Sequence, residues 1–181
     1  MTVEGGPRPQ RELVLRTHGP DDTRALAATI AEALRPGDVV SLSGELGAGK
    51  TCFVQGAASA LGVTGRVTSP TFTLVRPYQA RLPGDDVAVE LVHVDVYRLD
   101  RLQDVVELGE DVILGDDQIT FVEWGDVVDA ILATDRLEVE LLLGDADDER
   151  IVRVRGHGRW AGRVADVTPQ LQRWAVQEPH R

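Results

Sequence analysis

The chain has 181 residues, 43% of them hydrophobic, which is enough for one domain with a real core and too few for two sizeable ones. Its formal net charge of −11 disfavours a broad DNA- or RNA-binding surface, which needs clustered Lys and Arg, and its single cysteine excludes an internal disulfide or a cysteine-based zinc site. No apolar run is long enough to cross a bilayer and the polar start from Met1 to Gln10 lacks the apolar core of a signal peptide, so a cytoplasmic protein is expected.

Residues 1–10 read as a flexible segment. Glu12 to Thr17 alternates like a first strand, and Asp21 or Asp22 can cap a helix to about Leu34 with Leu26, Ile30 and Leu34 on one face, ended by Pro36-Gly37. Asp38 to Ser43 reads as a buried strand. The next eight residues, Gly44-Glu45-Leu46-Gly47-Ala48-Gly49-Lys50-Thr51, fit the phosphate-loop pattern G-x-x-x-x-G-K-[ST]. Glycines let the backbone turn its N–H groups inward, the lysine reaches β- and γ-phosphates, and the threonine hydroxyl ligates Mg²⁺. Lys50 is the only lysine against eighteen arginines, and a planar guanidinium is too wide for a slot shaped around an ammonium. Cys52 to Leu61 reads as the succeeding helix, adding its positive dipole end. Strand, loop and helix in that order point to a nucleoside triphosphate, cradled by residues 44–52. Cys52 is either a small buried filler or a thiol with a pKa lowered by the helix start, the filler being the simpler reading.

Gly62 to Pro70 is a Gly/Thr/Ser-rich connection. Thr71 to Tyr78 and Val87 to Val96 read as strands, and the short link from Gln79 to Asp86 favours an antiparallel hairpin. Leu102 to Leu108 is a short helical stretch, Gln118 to Glu123 a short apolar strand and Asp126 to Leu132 another short helix. Arg136 to Leu143 and Arg150 to Arg155 alternate around an acidic turn, which makes a second hairpin at the border of the sheet. Thr168-Pro169 starts a last helix to about Gln177. The expected fold is α/β, a P-loop NTPase-like three-layer sandwich whose mixed sheet is parallel near the phosphate loop with antiparallel edge strands. The ATPase domain is placed at 11–155, followed by a tail with a short helix at 156–181.

A Mg²⁺ nucleotide site needs a carboxylate at a strand end beside the loop. Asp95 and Glu123 each end an apolar run. Either alone reads as a turn former, but two beside a phosphate loop read as site residues. The chain has no Asn and its lysine is already committed, so guanine selection by Asn-Lys-x-Asp is absent and ATP is the expected nucleotide. The Arg-rich stretch from Arg153 to Arg163 reads as a solvated tail or partner-contact surface, or as the lid of a small-molecule kinase.

The loop motif, Ser69-Pro70-Thr71-Phe72-Thr73-Leu74-Val75, His93-Val94-Asp95-Val96-Tyr97-Arg98-Leu99 and Glu123-Trp124 together resemble the ordered signature of the TsaE (formerly YjeE) family, over about residues 12 to 155. The resemblance implies an ATPase of the bacterial pathway that makes threonylcarbamoyladenosine in tRNA, weak alone, whose ATP hydrolysis supports turnover of a TsaB–TsaD heterodimer. The tRNA is then met indirectly, through the partners. By the same resemblance Lys50 and the loop amides hold the phosphates, Thr51 binds Mg²⁺, Glu123 supplies or supports metal coordination, and Asp95 organises the water or the metal shell. Ser69-Pro70-Thr71 resembles a switch segment, in which Thr71 offers a hydroxyl near the γ-phosphate or is an ordinary strand residue. Trp124 lies by the nucleotide or at a core edge, Tyr97 and Arg98 transmit nucleotide state or pack, and His93 reads as structural. Cys52 stands where a second Thr or Ser is frequent, and the tail matches no motif. Two other functions fit the same residues: a nucleotide-gated binding module without obligate energy input, and a small-molecule kinase.

Overall fold

The computed structural model describes residues 11–70, 74–96, 107, 110–124 and 134–176. They form one seven-stranded sheet in the order β1-β7-β6-β2-β5-β4-β3. Here β1 is Glu12–His18, β2 Val39–Ser43, β3 Val75–Arg81, β4 Ala88–Asp95, β5 Gln118–Glu123, β6 Arg136–Leu143 and β7 Glu149–His157. The helices are α1 (Pro20–Ala31), α2 (Lys50–Ala60), α3 (Glu110–Ile113) and α4 (Trp160–Val167), succeeded by a 3₁₀ segment, Thr168–Trp174.

The central strands β6, β2, β5 and β4 are parallel, and the pairs β3–β4, β6–β7 and β7–β1 are antiparallel. This is the mixed sheet expected, both hairpins included. Val39 to Leu42 of β2 are all buried, as a strand covered on both faces must be. Pro77 is tolerated because β3 is an edge strand, where a missing N–H interrupts no ladder. On one face α1, α2, α4 and the 3₁₀ segment bury Leu26, Ile30, Phe53, Trp160 and Leu171 against Leu15, Val40, Leu42, Phe121 and Val139. On the other, Ile113 of α3 packs with Val39, Val92, Val94 and Val122, completing three layers.

Two helix starts differ from expectation. Helix α1 begins at Pro20, with Gly19 at φ 128° as the residue before it, and Asp22 acts from inside the first turn by accepting the His18 N–H at 2.9 Å. Helix α2 begins at Lys50 because the left-handed Gly49 (φ 107°) turns the chain directly into it. The two helices touch where Gly56 faces the main chain of Arg24, and a Cβ there would overlap that backbone. Gly56→Ala is therefore expected to destabilise the chain by about 2 kcal/mol, read as a lowered midpoint in thermal or urea unfolding. An unchanged midpoint would refute the close approach.

The end of the chain also differs. Beyond residue 155, β7 continues to His157 and α4 comes next, with Trp160 and Val164 buried. Thr168 closes α4, donating to the Val164 carbonyl at 2.7 Å, and the chain then tightens into the 3₁₀ segment, which stops at Trp174, short of Gln177. Arg163 is neither lid nor solvated tail. It forks onto Asp38 at 2.7 and 2.8 Å and stacks 3.7 Å from the Trp160 ring, at the opposite end of β2 from the glycine loop. Arg153 and Arg155 sit in a charged ladder with Glu12, Glu138 and Glu140, and Arg155 is held far above its ordinary pKa, first by its bond to Glu12. The helices expected at 102–108 and 126–132 fall outside the described residues, except Glu107, which is helical.

Candidate functional site

The loop leaves the C-terminal end of β2, the edge at which open parallel sheets place their ligands. Gly44, Gly47 and Gly49 have φ of 141°, 81° and 107°, and a Cβ on Gly44 would run into the Leu141 carbonyl. Glycine is thus required for conformation at all three and for space at the first. Lys50, 5% exposed, turns back over the loop and donates to the Gly44 carbonyl at 2.6 Å and the Glu45 carbonyl at 2.9 Å. Its ammonium lies 3.8 Å from the centre of the Trp124 ring. Trp124 adopts a φ of 63°, rare for a bulky residue, and this bend just after β5 carries the indole back over the loop.

Sheet register brings the acids together. Asp95 at the end of β4 is the direct partner of Glu123 at the end of β5, and Glu123 in turn is the partner of Leu42 in β2. Both carboxylates are buried. Glu123 Oε1 accepts the Thr51 hydroxyl at 2.6 Å and stands 2.7 Å from His93 Nε2, on a fully buried ring. Asp95 Oδ2 accepts the Ser69 hydroxyl at 2.7 Å, and the Asp95 N–H donates to the Leu74 carbonyl at 2.9 Å.

These groups surround a pocket of about 330 Å³ lined by Leu46, Gly47, Gly49, Lys50, Thr51, Cys52, Ser69, Asp95, Glu123 and Trp124. Of the other loop residues named from sequence, Gly44 and Glu45 contribute carbonyls to Lys50, and Ala48 is buried in the core, its N–H on the Glu45 carbonyl at 3.0 Å. Thr71, Tyr97 and Arg98 lie outside the described residues. Burial pushes the Cys52 thiol above its ordinary pKa despite the opposing pull of Arg24 and Arg150, so it is a poorer nucleophile than the helix start alone would make it. A second hollow of about 280 Å³ adjoins Cys52 and the loop, lined also by Gly19, Pro20, Arg24 and Arg150.

Three side chains have contacts that sequence does not reveal. Ser69 is visible there only as part of a switch-like segment, and His93 only as a structural residue. Arg150 carries no signal at all, because its guanidinium bonds to main-chain carbonyls, including those of Gly47 and Ala48. Chemically, the site offers turned amides and an ammonium for an anion, beside a hydroxyl and two carboxylates. That all-oxygen set suits a hard divalent cation such as Mg²⁺. Among the described residues no three His, Cys, Asp or Glu gather into a metal cage.

The family model described as "Threonylcarbamoyl adenosine biosynthesis protein TsaE" matches residues 17–152. A tRNA threonylcarbamoyladenosine biosynthesis protein TsaE from Streptomyces coelicolor is 46% identical over 150 residues, covering 80% of this chain and 97% of the relative. The protein of that description from Bacillus subtilis is 38% identical over 140 residues, covering 77% and 83%. The crystal structure of Bacillus subtilis YdiB superposes with a TM-score of 0.69 at 32% identity, covering 92% of this chain and 98% of that one.

Proposed function

The chain belongs to the TsaE family, and from that premise we propose that it binds ATP with Mg²⁺ and hydrolyses it to support repeated turnover of a TsaB–TsaD complex that modifies tRNA to threonylcarbamoyladenosine. The observation that carries the proposal is the 2.6 Å bond from Thr51 to Glu123, which links the first turn of the loop helix to the acid at the end of the neighbouring strand. A hydroxyl and a carboxylate so joined are the pair a Mg²⁺–triphosphate site calls for.

Thr51 and Glu123, with Asp95 at their side, would hold Mg²⁺, which when bound neutralises charge on the phosphate oxygens. Lys50 exchanges the Gly44 and Glu45 carbonyls for phosphate oxygens, and the amide of Gly49 adds a fixed dipole. Asp95, steered by Ser69, orients the attacking water. Thr71 adds a hydroxyl from the switch segment, and Trp124 closes over the ammonium and excludes water. Catalysis is then positioning and charge stabilisation, with little covalent work for the protein. Feeble turnover of the isolated chain is the expected result if partners complete the site. The net charge of −11 agrees with a tRNA held by those partners and with no DNA-binding role. No helix among the described residues is long and apolar enough to cross a membrane, and we place the protein in the cytoplasm without a membrane partner.

The test is a reconstituted tRNA-modification assay with TsaB and TsaD. Wild-type chain with ATP is expected to sustain many rounds, whereas Asp95→Asn should hold ATP within about threefold of wild type and stall after the first round. Sustained rounds by Asp95→Asn at the wild-type rate, or by chain with no ATP present, would exclude the proposal. Labelled phosphate appearing on a metabolite would point instead to the kinase.

A further inference from the structure

The geometry points to Arg150 as a positioning residue of the phosphate loop, a role that rests on the nucleotide-binding function proposed for that loop. Arg150 opens β7's pairing with β6, and its guanidinium spans two segments far apart in sequence. Nε donates to the Ala48 carbonyl at 3.0 Å and Nη2 to the Gly47 carbonyl at 3.3 Å, both in the loop. Nη1 donates to the carbonyls of Asp147 and Glu149 at 2.7 and 2.8 Å, both at the β6–β7 turn. All four acceptors are main-chain carbonyls, so none of these contacts neutralises the arginine's charge.

Peptide planarity sets the consequence. In a trans peptide the C=O and the next N–H point in opposite directions. Drawing the Ala48 carbonyl outward turns the Gly49 N–H inward, and Gly49 lines the pocket. Drawing the Gly47 carbonyl outward turns the Ala48 N–H onto the Glu45 carbonyl, which closes the loop's own turn. The two peptides so fixed are flanked by glycines at φ 81° and 107°, the residues with most freedom to lose on ordering. A single rigid fork therefore fixes the glycine-flanked part of the anion cradle. Lysine cannot replace it, since one ammonium does not span both carbonyls and the turn in this planar pattern. The arginine's field also reaches the start of α2, where it pulls against the burial of Cys52.

The experiment measures ATP and inorganic tripolyphosphate affinity by calorimetry for full-length wild type, Arg150→Met and Arg150→Lys, with thermal midpoints alongside. Arg150→Met is expected to weaken both ligands alike by about 10- to 30-fold with the midpoint nearly unchanged, and Arg150→Lys to stay at least about fivefold weak despite keeping its charge. Unchanged affinity in either variant, with only the midpoint lowered, makes Arg150 a brace of the turn and overturns the inference. Weakened ATP with normal tripolyphosphate assigns Arg150 to the nucleoside in the adjoining hollow, and overturns it too. Should Arg150→Met not fold, Arg150→Lys decides alone, together with amide exchange at Gly49, which must speed up relative to wild type. A wild type that binds neither ligand fails the nucleotide reading itself, and is distinguished from the other outcomes by that result alone.

Discussion

Lys50→Ala is expected to abolish measurable ATP binding, raising the dissociation constant at least about 100-fold, which corresponds to about 2.8 kcal/mol. The Lys50 ammonium is buried on the Gly44 and Glu45 carbonyls and under the Trp124 ring. It is thus already stripped of most of its water and stands where terminal phosphates would arrive. Its exchange of two carbonyls for phosphate oxygens strengthens on binding, because an anion replaces two neutral dipoles. Lys50→Arg should fail nearly as badly, since the slot between loop and indole admits a compact cation and not a broad one. Isothermal titration with ATP tests both variants. Binding by Lys50→Ala within about threefold of wild type would remove the loop from the nucleotide site.

The second large effect is on turnover. Glu123→Gln keeps side-chain size and an oxygen that can accept from Thr51 and His93, the two groups now on Oε1, so the fold should persist. What is lost is the negative charge beside Thr51. ATP hydrolysis, measured with TsaB and TsaD present, is expected to fall about 100-fold, or about 2.7 kcal/mol in the barrier, while ATP still binds. Added Mg²⁺ should no longer tighten ATP as it does in wild type. Hydrolysis at the wild-type rate, or an undiminished Mg²⁺ effect on affinity, would show that the cation is held elsewhere.

How far the sequence alone discloses the molecule differs by element. The strands Gln118–Glu123 and Arg136–Leu143 fall where apolar runs and alternation place them, because each side chain must choose a face of a sheet. The glycine loop is readable because it turns through backbone conformations that few residues other than glycine adopt. Asp95 and Glu123 stand out as strand ends, but their adjacency is a property of register, which no single strand carries. Helix α4 escapes the sequence reading although Trp160, Val164, Val167 and Leu171 recur at helical spacing. The Arg-rich stretch that runs into them and ends at Arg163 suggests a surface, and the fork from Arg163 to buried Asp38 joins residues on separate elements. Arg150 is beyond sequence reading for a simpler reason: its partners are carbonyl oxygens, which every residue possesses.

The two carboxylates keep their spacing through a ladder of backbone hydrogen bonds and owe nothing to a turn that joins them. Remodelling at the far edge of the sheet can therefore proceed without disturbing them, much as a ruler's markings survive a change of handle. A slide of β4 by two residues along β5 would preserve every inward-facing side chain and still shift one acid about 7 Å along the sheet from the other, yielding a folded protein whose two acids no longer stand side by side.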